Sequence, residues 1–77
     1  MRELLEFLAR ELVDDPDSVS VTELTDDRGL LLQLRVHPDD MGKVIGRSGR
    51  TARALRAIVR AAATRRDMHA SVEIVDD

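Results

Sequence analysis

A tetrapeptide framed by two glycines, Gly46-Arg47-Ser48-Gly49, lies at the centre of the most basic part of this sequence. Between Gly42 and Arg66 the chain has eight basic residues and no acidic one, whereas the other residues have four basic groups against fifteen acidic ones. The net charge of -3 therefore conceals a segment of +8 joined to surroundings of -11. Because such an asymmetry creates a local positive potential, it predicts a surface that contacts phosphate groups.

The chemistry predicted for this segment is noncovalent phosphate binding. Glycine has no Cβ, so a loop with two glycines can approach a ligand closely and adopt positive φ angles. A helix that begins directly after the loop presents unpaired N–H groups and the positive end of its dipole at the same place. Arginines add charge-assisted contacts there, and an aliphatic side chain can line a groove for bases. The predicted binding residues are Lys43, Ile45, Gly46, Arg47, Ser48, Gly49, Arg50 and Arg53.

The composition argues against several other kinds of site. The chain has no cysteine and only two histidines, so neither a disulfide framework nor a typical zinc site is expected. No nucleophile with a partner base can be identified, and no Gly-Lys-Ser/Thr follows the glycines as a P-loop requires. We therefore expect no catalysis, no metal, no cofactor and no small-molecule substrate. Phe7 is the only aromatic residue, which disfavours binding modes that stack bases on aromatic platforms.

The length and the distribution of apolar residues predict one small domain, residues 1–77, in the cytoplasm. No apolar run approaches the roughly 20 residues of a membrane span. The N-terminus also lacks the basic-then-apolar layout of a signal peptide.

The apolar periodicity predicts the element order α-β-β-α-α-β and an α+β fold, in which three helices cover one face of a three-stranded sheet. The turn residues Asp26-Asp27-Arg28-Gly29 join the first two strands as a hairpin. The clearest elements are a first helix over Arg2–Val13, a long helix from about Arg50 to Arg65, and a last strand over Ala70–Val75.

The long helix has two predicted faces. Leu55, Ile58, Val59 and Ala62 form the apolar stripe at i, i+3, i+4 and i+7, and Arg50, Arg53, Arg56 and Arg60 lie opposite. The arginines could be an ordinary solvated face, but that reading usually requires interleaved acids, and none is present. Arg50 and Arg53 are favoured for phosphate contact over Arg60, Arg65 and Arg66. Ser48 is the candidate N-cap of this helix, and Asp40 that of the short helix before the loop.

The run Val44-Ile45-Gly46-Arg47-Ser48-Gly49-Arg50, with Leu55 six residues past the second glycine, resembles the V-I-G-x-x-G core of a KH domain. The element order is similar to the prokaryotic type II version of that domain, and the resemblance covers nearly the whole chain. The approach over residues 40–46 and the exit Arg50-Thr51-Ala52 look most like the KhpA family of small bacterial proteins.

This resemblance implies an RNA-binding protein, a chaperone and post-transcriptional regulator, that pairs with a larger KH protein of the KhpB type. It implies links to gene regulation, cell shape and the cell envelope, and a loop that clamps four nucleotides of single-stranded RNA by their backbone. Gly46 and Gly49 correspond to the loop glycines, and Arg47 and Ser48 to the variable pair. Ala52 departs from the larger aliphatic residue of many KH domains, which leaves the base preference open.

Two further interpretations remain open, and a third is disfavoured. A helix-hairpin-helix DNA-binding motif is disfavoured because two polar residues separate the glycines. A protein-interaction adaptor, in which RNA contact is secondary, is the alternative from another functional class. Small residues on the long helix can reflect helix propensity alone or a homodimer or heterodimer interface; that predicted interface consists of Ala54, Ala57, Ile58 and Ala61.

Overall fold

The computed structural model of the protein describes residues 1–76, so that Asp77, the last residue of the predicted domain, lies outside the described residues. The helices are α1 (Arg2–Leu12), α2 (Met41–Ile45) and α3 (Arg50–Thr64), and the strands are β1 (Ser20–Asp26), β2 (Gly29–Arg35) and β3 (Ala70–Ile74). Short 3-10 turns cover Pro16–Ser18, Pro38–Asp40 and Arg47–Gly49. The predicted order α-β-β-α-α-β is confirmed. The ends of α1, α3 and β3 each lie one residue before the predicted ones, a shift within the usual fraying of helix and strand ends.

The sheet is mixed, with the strand order β1-β2-β3. Strands β1 and β2 form an antiparallel hairpin in which Val21 lies opposite Leu34. Strands β2 and β3 run parallel, with Leu32 beside Val72. Parallel neighbours require a crossover connection, and α2, the loop and α3 supply it. The predicted binding loop therefore lies within the crossover that packs on the sheet.

The core lies between the sheet and the three helices. Alternate residues of β2, namely Leu30, Leu32 and Leu34, are buried, as the period of a strand requires. The helices contribute Leu5, Ala9, Val44, Leu55 and Val59 to the same cluster. On the other face Gln33 donates a hydrogen bond to Glu73 at 2.8 Å. The helices thus cover one face of the sheet, as predicted.

The buried stripe of α3 differs from the predicted one. Ile58 is 43% exposed, whereas Ala52 and Ala63 are buried together with Leu55 and Val59. The buried positions follow steps of three, four and four residues, and this line passes through Val59 and leaves Ile58 on its flank. The assignment of Ile58 to the core was therefore wrong.

No helix among residues 1–76 has the length and apolar character needed to cross a membrane.

Candidate nucleic-acid interface

The loop between α2 and α3 is a tight turn held by backbone hydrogen bonds. Helix α2 ends at Gly46, whose φ and ψ are 75° and 172° and whose N–H donates to the Gly42 carbonyl at 2.8 Å. The Gly49 N–H then donates to the Gly46 carbonyl at 3.1 Å. Ser48 and Gly49 both adopt left-handed conformations, with φ angles of 57° and 73°. Residues 46–49 therefore form one compact unit that leads directly into α3.

The two glycines have different structural requirements. A Cβ on Gly46 would collide with the Thr51 hydroxyl and would lie 2.8 Å from the Thr51 Cβ, because the first turn of α3 packs on this position. A Cβ on Gly49 would meet only the Arg53 guanidinium, at 3.6 Å. Gly46 is thus required both by its backbone angles and by close packing, and Gly49 by its backbone angle alone.

Two backbone donors of the loop have no partner within residues 1–76. Neither the Arg47 nor the Ser48 amide donates to a protein acceptor there, and both residues are exposed. They lie at the N-terminal end of the 15-residue helix α3, where the helix dipole favours negative charge. The turn can therefore donate two N–H groups to one anion, as the sequence predicted for a phosphate.

The predicted N-cap of α3 was wrong. Gly49, and not Ser48, occupies the N-cap position, and no side chain forms a capping hydrogen bond there. Ser48 instead lies within the turn, and its carbonyl accepts a hydrogen bond from the Arg53 guanidinium at 3.0 Å. Arg53 was predicted as a phosphate ligand only, whereas the structure places it as a contact that ties the loop to α3.

The two arginines nearest the loop, Arg47 and Arg50, keep their charge exposed to solvent. Arg47 and Arg50 are exposed, and within residues 1–76 neither forms an ion pair or a side-chain hydrogen bond. Ile45, 39% exposed, adds an apolar surface directly before the loop. These three side chains are available to a ligand.

Lys43 is partly committed to acidic residues. Its Nζ lies 3.2 Å from an Asp14 carboxylate oxygen and 3.5 Å from one of Asp40. The hydrogen bond and charge of Asp14, followed by the charge of Asp40, raise the pKa of the Lys43 ammonium. The positive charge of Lys43 is therefore partly neutralised beside the predicted site.

Asp40 holds α2 in place, a role that the sequence did not predict. It is 2% exposed and accepts a hydrogen bond from the Asp15 amide at 3.0 Å. Burial alone would raise the pKa of its carboxyl, but the Asp15 and Asp14 amides and the Lys43 ammonium together lower it. Asp40 does occupy the predicted N-cap position of α2, but its side chain makes no capping bond. The His37 Nδ1 caps the preceding turn instead, accepting from the Asp39 amide at 3.1 Å.

Arg56 does not lie opposite the core as predicted. It is half-buried, and its Nε donates to the Val72 carbonyl at 3.3 Å, which links α3 to β3. At 100° per residue, Arg53, Arg56 and Arg60 line the flank of α3 next to β3. The predicted interface residues, all exposed, occupy the outer surface and the opposite flank: Ala54, Ala57, Ile58 and Ala61. Helix α3 thus presents a basic surface and a separate small-residue surface.

Comparison with known proteins identifies the family of this chain. A model of the KhpA/KhpB KH domain matches residues 2–74. A protein of Halalkalibacterium halodurans named RNA-binding protein KhpA is 53% identical over 76 residues, which span 99% of this chain and all of the relative. Proteins of the same name are 48% identical in Clostridium acetobutylicum, over 97% of this chain and all of the relative, and 58% identical in Streptomyces coelicolor, over 77% of this chain and 75% of the relative. No solved structure matches this chain. The chain belongs to the KhpA/KhpB family of KH domains.

Proposed function

We propose that residues 1–77 act as one KH domain that holds single-stranded RNA through the loop at residues 46–49, without catalysis. The observation that carries the proposal concerns the start of α3, where the Arg47 and Ser48 amides have no partner within residues 1–76 and the Arg47 and Arg50 side chains are unpaired within the same residues. The names of the relatives, RNA-binding protein KhpA, support RNA as the ligand. Because the chain belongs to a family of KH domains and its relatives are named RNA-binding proteins, a noncatalytic role is supported.

In the proposed binding mode, the loop and the residues beside it have different roles. The amides of the turn bind a phosphate, and Arg47 and Arg50 add charge-assisted contacts. Arg53 maintains the loop conformation through Ser48 while it adds positive potential. Lys43 adds to the positive electrostatic potential without contacting the phosphate, because its ammonium is already paired with Asp14. Ile45 contacts bases, and no aromatic stacking is needed, since Phe7 is the only aromatic residue and lies on α1.

At the cellular level we propose a cytoplasmic RNA chaperone and post-transcriptional regulator that acts with a KhpB-type partner in cell-shape and cell-wall homeostasis. The family model covers both KhpA and KhpB domains, and this supports only the choice of a KhpB-type partner. A single loop contact gives little affinity, and pairing two sites raises it by effective concentration. The exposed surface of Ala54, Ala57, Ile58 and Ala61 is the proposed contact for a homodimer or heterodimer.

The test of the loop is RNA binding by the purified protein, followed by fluorescence anisotropy with short mixed-sequence oligonucleotides. The variant Arg47→Asp/Ser48→Asp reverses the local charge, and Arg47→Asn/Ser48→Asn is its matched control, because both asparagine and aspartate tolerate the left-handed conformation of residue 48. We expect no detectable binding by the aspartate variant and weakened binding by the asparagine variant. Circular dichroism checks that both variants fold.

The salt dependence of the native complex measures how many phosphates are neutralised. For a single strand the log-log slope changes by roughly -0.7 per phosphate. Equal binding by the native and aspartate proteins, or a flat salt response, contradicts the proposed mode. If none of the proteins binds RNA, the adaptor function becomes the better explanation, and the aspartate variant should then retain its protein partner.

A further inference from the structure

The sheet has two outer edges, which differ in how much of their backbone is already bonded. At the β3 edge the Val72 carbonyl accepts a hydrogen bond from the Arg56 guanidinium. Strand β1 forms the other edge, and its Val21 joins Leu5 of α1 in the core. Strand β1 has seven residues, none of them proline or glycine, so its sequence does not interrupt a regular edge.

The pairing of the strands shows which backbone groups of β1 point away from the sheet. The Leu30 N–H donates to the His69 carbonyl, so Leu30 bonds to β3 and the next residue, Leu31, bonds to β1. Leu31 lies opposite Leu24. Leu24 and every second residue from it therefore bond to β2. The β1 residues between them, whose N–H and C=O groups point outward, are Val21, Glu23 and Thr25.

The outward backbone groups of β1 form an open row of donors and acceptors. Within residues 1–76 no side chain or loop hydrogen-bonds to the backbone of Val21, Glu23 or Thr25. An extended segment can therefore add to β1 as a further strand and satisfy these groups. The side chains beside the edge determine which kind of segment fits.

The chain around this edge is acidic. Residues 14–27 contain six acidic residues and no basic one. Glu23 and Asp27 are exposed, and neither forms an ion pair within residues 1–76. These charges repel phosphates and attract a basic ligand. The edge therefore favours a basic protein segment and disfavours RNA.

The two faces of β1 differ in character near the middle of the strand. Leu24 is 47% exposed and lies opposite Leu31 on the face that the helices leave open. Glu23 lies on the other face, opposite the buried Leu32, but is itself exposed. A strand added to β1 places its successive side chains on alternate faces of the sheet. Alternating basic and apolar residues therefore fit this edge, with the basic ones beside Glu23 and the apolar ones beside Leu24.

A second copy of this chain does not fit the same edge. If β1 paired with β1 of another copy, acidic residues would lie near their own counterparts, and like charges opposite each other destabilise a strand pair. Most of the basic residues that a second copy offers belong to α2, the loop at residues 46–49 and α3, none of which is an extended strand.

We propose that the β1 edge binds an extended segment of a partner protein in which basic and apolar residues alternate. The segment adds as a fourth strand and forms backbone hydrogen bonds with Val21, Glu23 and Thr25. Its basic side chains lie beside Glu23, and an apolar side chain lies beside Leu24. None of residues 46–49 takes part, so this site is separate from the proposed RNA-binding loop and from the small-residue surface of α3.

Amide hydrogen exchange followed by NMR tests the edge. In the free chain the outward amides of Glu23 and Thr25 should exchange at least roughly ten-fold faster than those of Thr22 and Leu24, which bond to β2. The probe is an acetylated and amidated heptapeptide of alternating lysine and valine, with lysine at both ends. Its binding should slow exchange at Glu23 and Thr25 and shift their resonances, and its affinity should fall as salt rises.

Two N-methylated forms of the peptide separate strand pairing from charge attraction alone. One is methylated at the lysine amides and the other at the valine amides, so each lacks the donors along one edge of the extended peptide. Both keep every charge. One form should bind at least roughly ten-fold more weakly than the unmodified peptide, and the other within two-fold of it.

Variants of the chain test the contacts from the other side. Glu23→Lys should weaken peptide binding roughly five-fold, whereas Glu73→Lys, the same charge change on β3, should leave it within two-fold. Thr25→Pro removes one outward N–H, keeps every charge and is of a kind that edge strands tolerate, so it should also weaken binding. Circular dichroism checks that each variant folds.

Three results overturn this inference. They are no binding of the unmodified peptide, unchanged exchange at Glu23 and Thr25 when it binds, and equal affinities of the two N-methylated forms. Equal weakening by Glu23→Lys and Glu73→Lys also overturns it, because the peptide then responds to the overall charge of the chain and not to the β1 edge.

Discussion

The Arg53 guanidinium donates a hydrogen bond to the Ser48 carbonyl at 3.0 Å, and this contact closes the binding loop onto the helix that follows it. Ser48 is in a left-handed conformation, which a non-glycine residue adopts at a cost, so the contact helps to hold a strained turn. The Arg47 and Ser48 amides, which have no acceptor among residues 1–76, owe their orientation to this turn. Arg53 therefore acts on RNA binding through loop geometry in addition to its charge.

The first prediction separates these two contributions of Arg53. Arg53→Lys keeps the charge and loses the planar fork, whereas Arg53→Ala loses both. We expect RNA affinity to fall about five-fold in the lysine variant, equivalent to ~1 kcal/mol, and further in the alanine variant. Hydrogen exchange at the Gly49 and Arg50 amides, which donate within the turn, should accelerate in both. Unchanged exchange and affinity in the lysine variant would show that Arg53 supplies charge alone.

The second prediction concerns three glycines in different environments. Gly46→Ala places a Cβ against Thr51 and a side chain in a backbone region that only glycine readily adopts, so the free energy of unfolding should fall by at least about 2 kcal/mol. Gly49→Ala has room for a Cβ and should lose about 1 kcal/mol from its positive φ. Gly42→Ala is the matched control, because a Cβ there meets no atom within 4 Å and the residue is helical. It should gain about 0.5–1 kcal/mol.

Urea unfolding of the three alanine variants measures these differences. The order of stability should be Gly42→Ala, native, Gly49→Ala and then Gly46→Ala. A Gly46→Ala protein as stable as the Gly49→Ala protein would contradict the close packing of Thr51 on the loop.

The fold was predictable because its strongest signals are local. The alternation along β2 and the helical spacing in α1 and α3 depend on neighbours within a few residues, and they predicted every helix and strand, with bounds that differ by one or two residues. The face of α3 was less predictable, since Leu55 and Val59 are compatible with two overlapping stripes. Burial of Ala52 and Ala63 in place of Ile58 depends on how closely the helix approaches the sheet, which spacing alone does not encode.

The candidate site, like the fold, was predictable from the sequence only in part. The glycines and the basic charge around residues 46–49 are visible in the sequence, and the structure brings them together in one turn. The partners of Lys43 and Asp40 are not visible, because Asp14 and Asp15 lie more than twenty residues earlier in the chain and reach α2 only after folding. Turn residues of this acidic, polar type usually indicate solvated loops, so no local signal identified them as an anchor.

The third prediction follows from the lowered pKa of Asp40. Although its burial would raise this pKa, the hydrogen bonds from the Asp15 and Asp14 amides and the Lys43 charge lower it below the ordinary aspartate value. A carboxyl with a lowered folded-state pKa stabilises the fold above its unfolded pKa, about 3.9, and that stability is lost as the pH falls through the folded-state pKa. We therefore expect the native chain to be more stable than Asp40→Asn at pH 7 and the difference to shrink below about pH 4.

Thermal unfolding at pH 7 and pH 3 tests this expectation. Asp40→Asn keeps an oxygen acceptor for the Asp15 amide and loses the charge that Lys43 contacts, so its melting temperature at pH 7 should be lower by roughly 4–8 °C. Glu3, whose pKa is also lowered, mainly by its own backbone hydrogen bond, titrates in the same range, but it is present in both proteins and cancels in the difference. A native-minus-variant difference that stays constant from pH 7 to pH 3 would contradict the ionic role of Asp40.

The fourth prediction concerns the small-residue surface of α3. Ile58 is 43% exposed among Ala54, Ala57 and Ala61, so a substitution there should leave the monomer fold intact while it disrupts the proposed dimer. Phe7→Glu is the matched control, because Phe7 is 59% exposed and lies on α1. In sedimentation equilibrium we expect Ile58→Glu to raise the dimer dissociation constant at least roughly ten-fold and Phe7→Glu to leave it unchanged. A native chain that sediments as a monomer at all concentrations would contradict the homodimer, and a larger effect of Phe7→Glu would place the contact elsewhere than on α3.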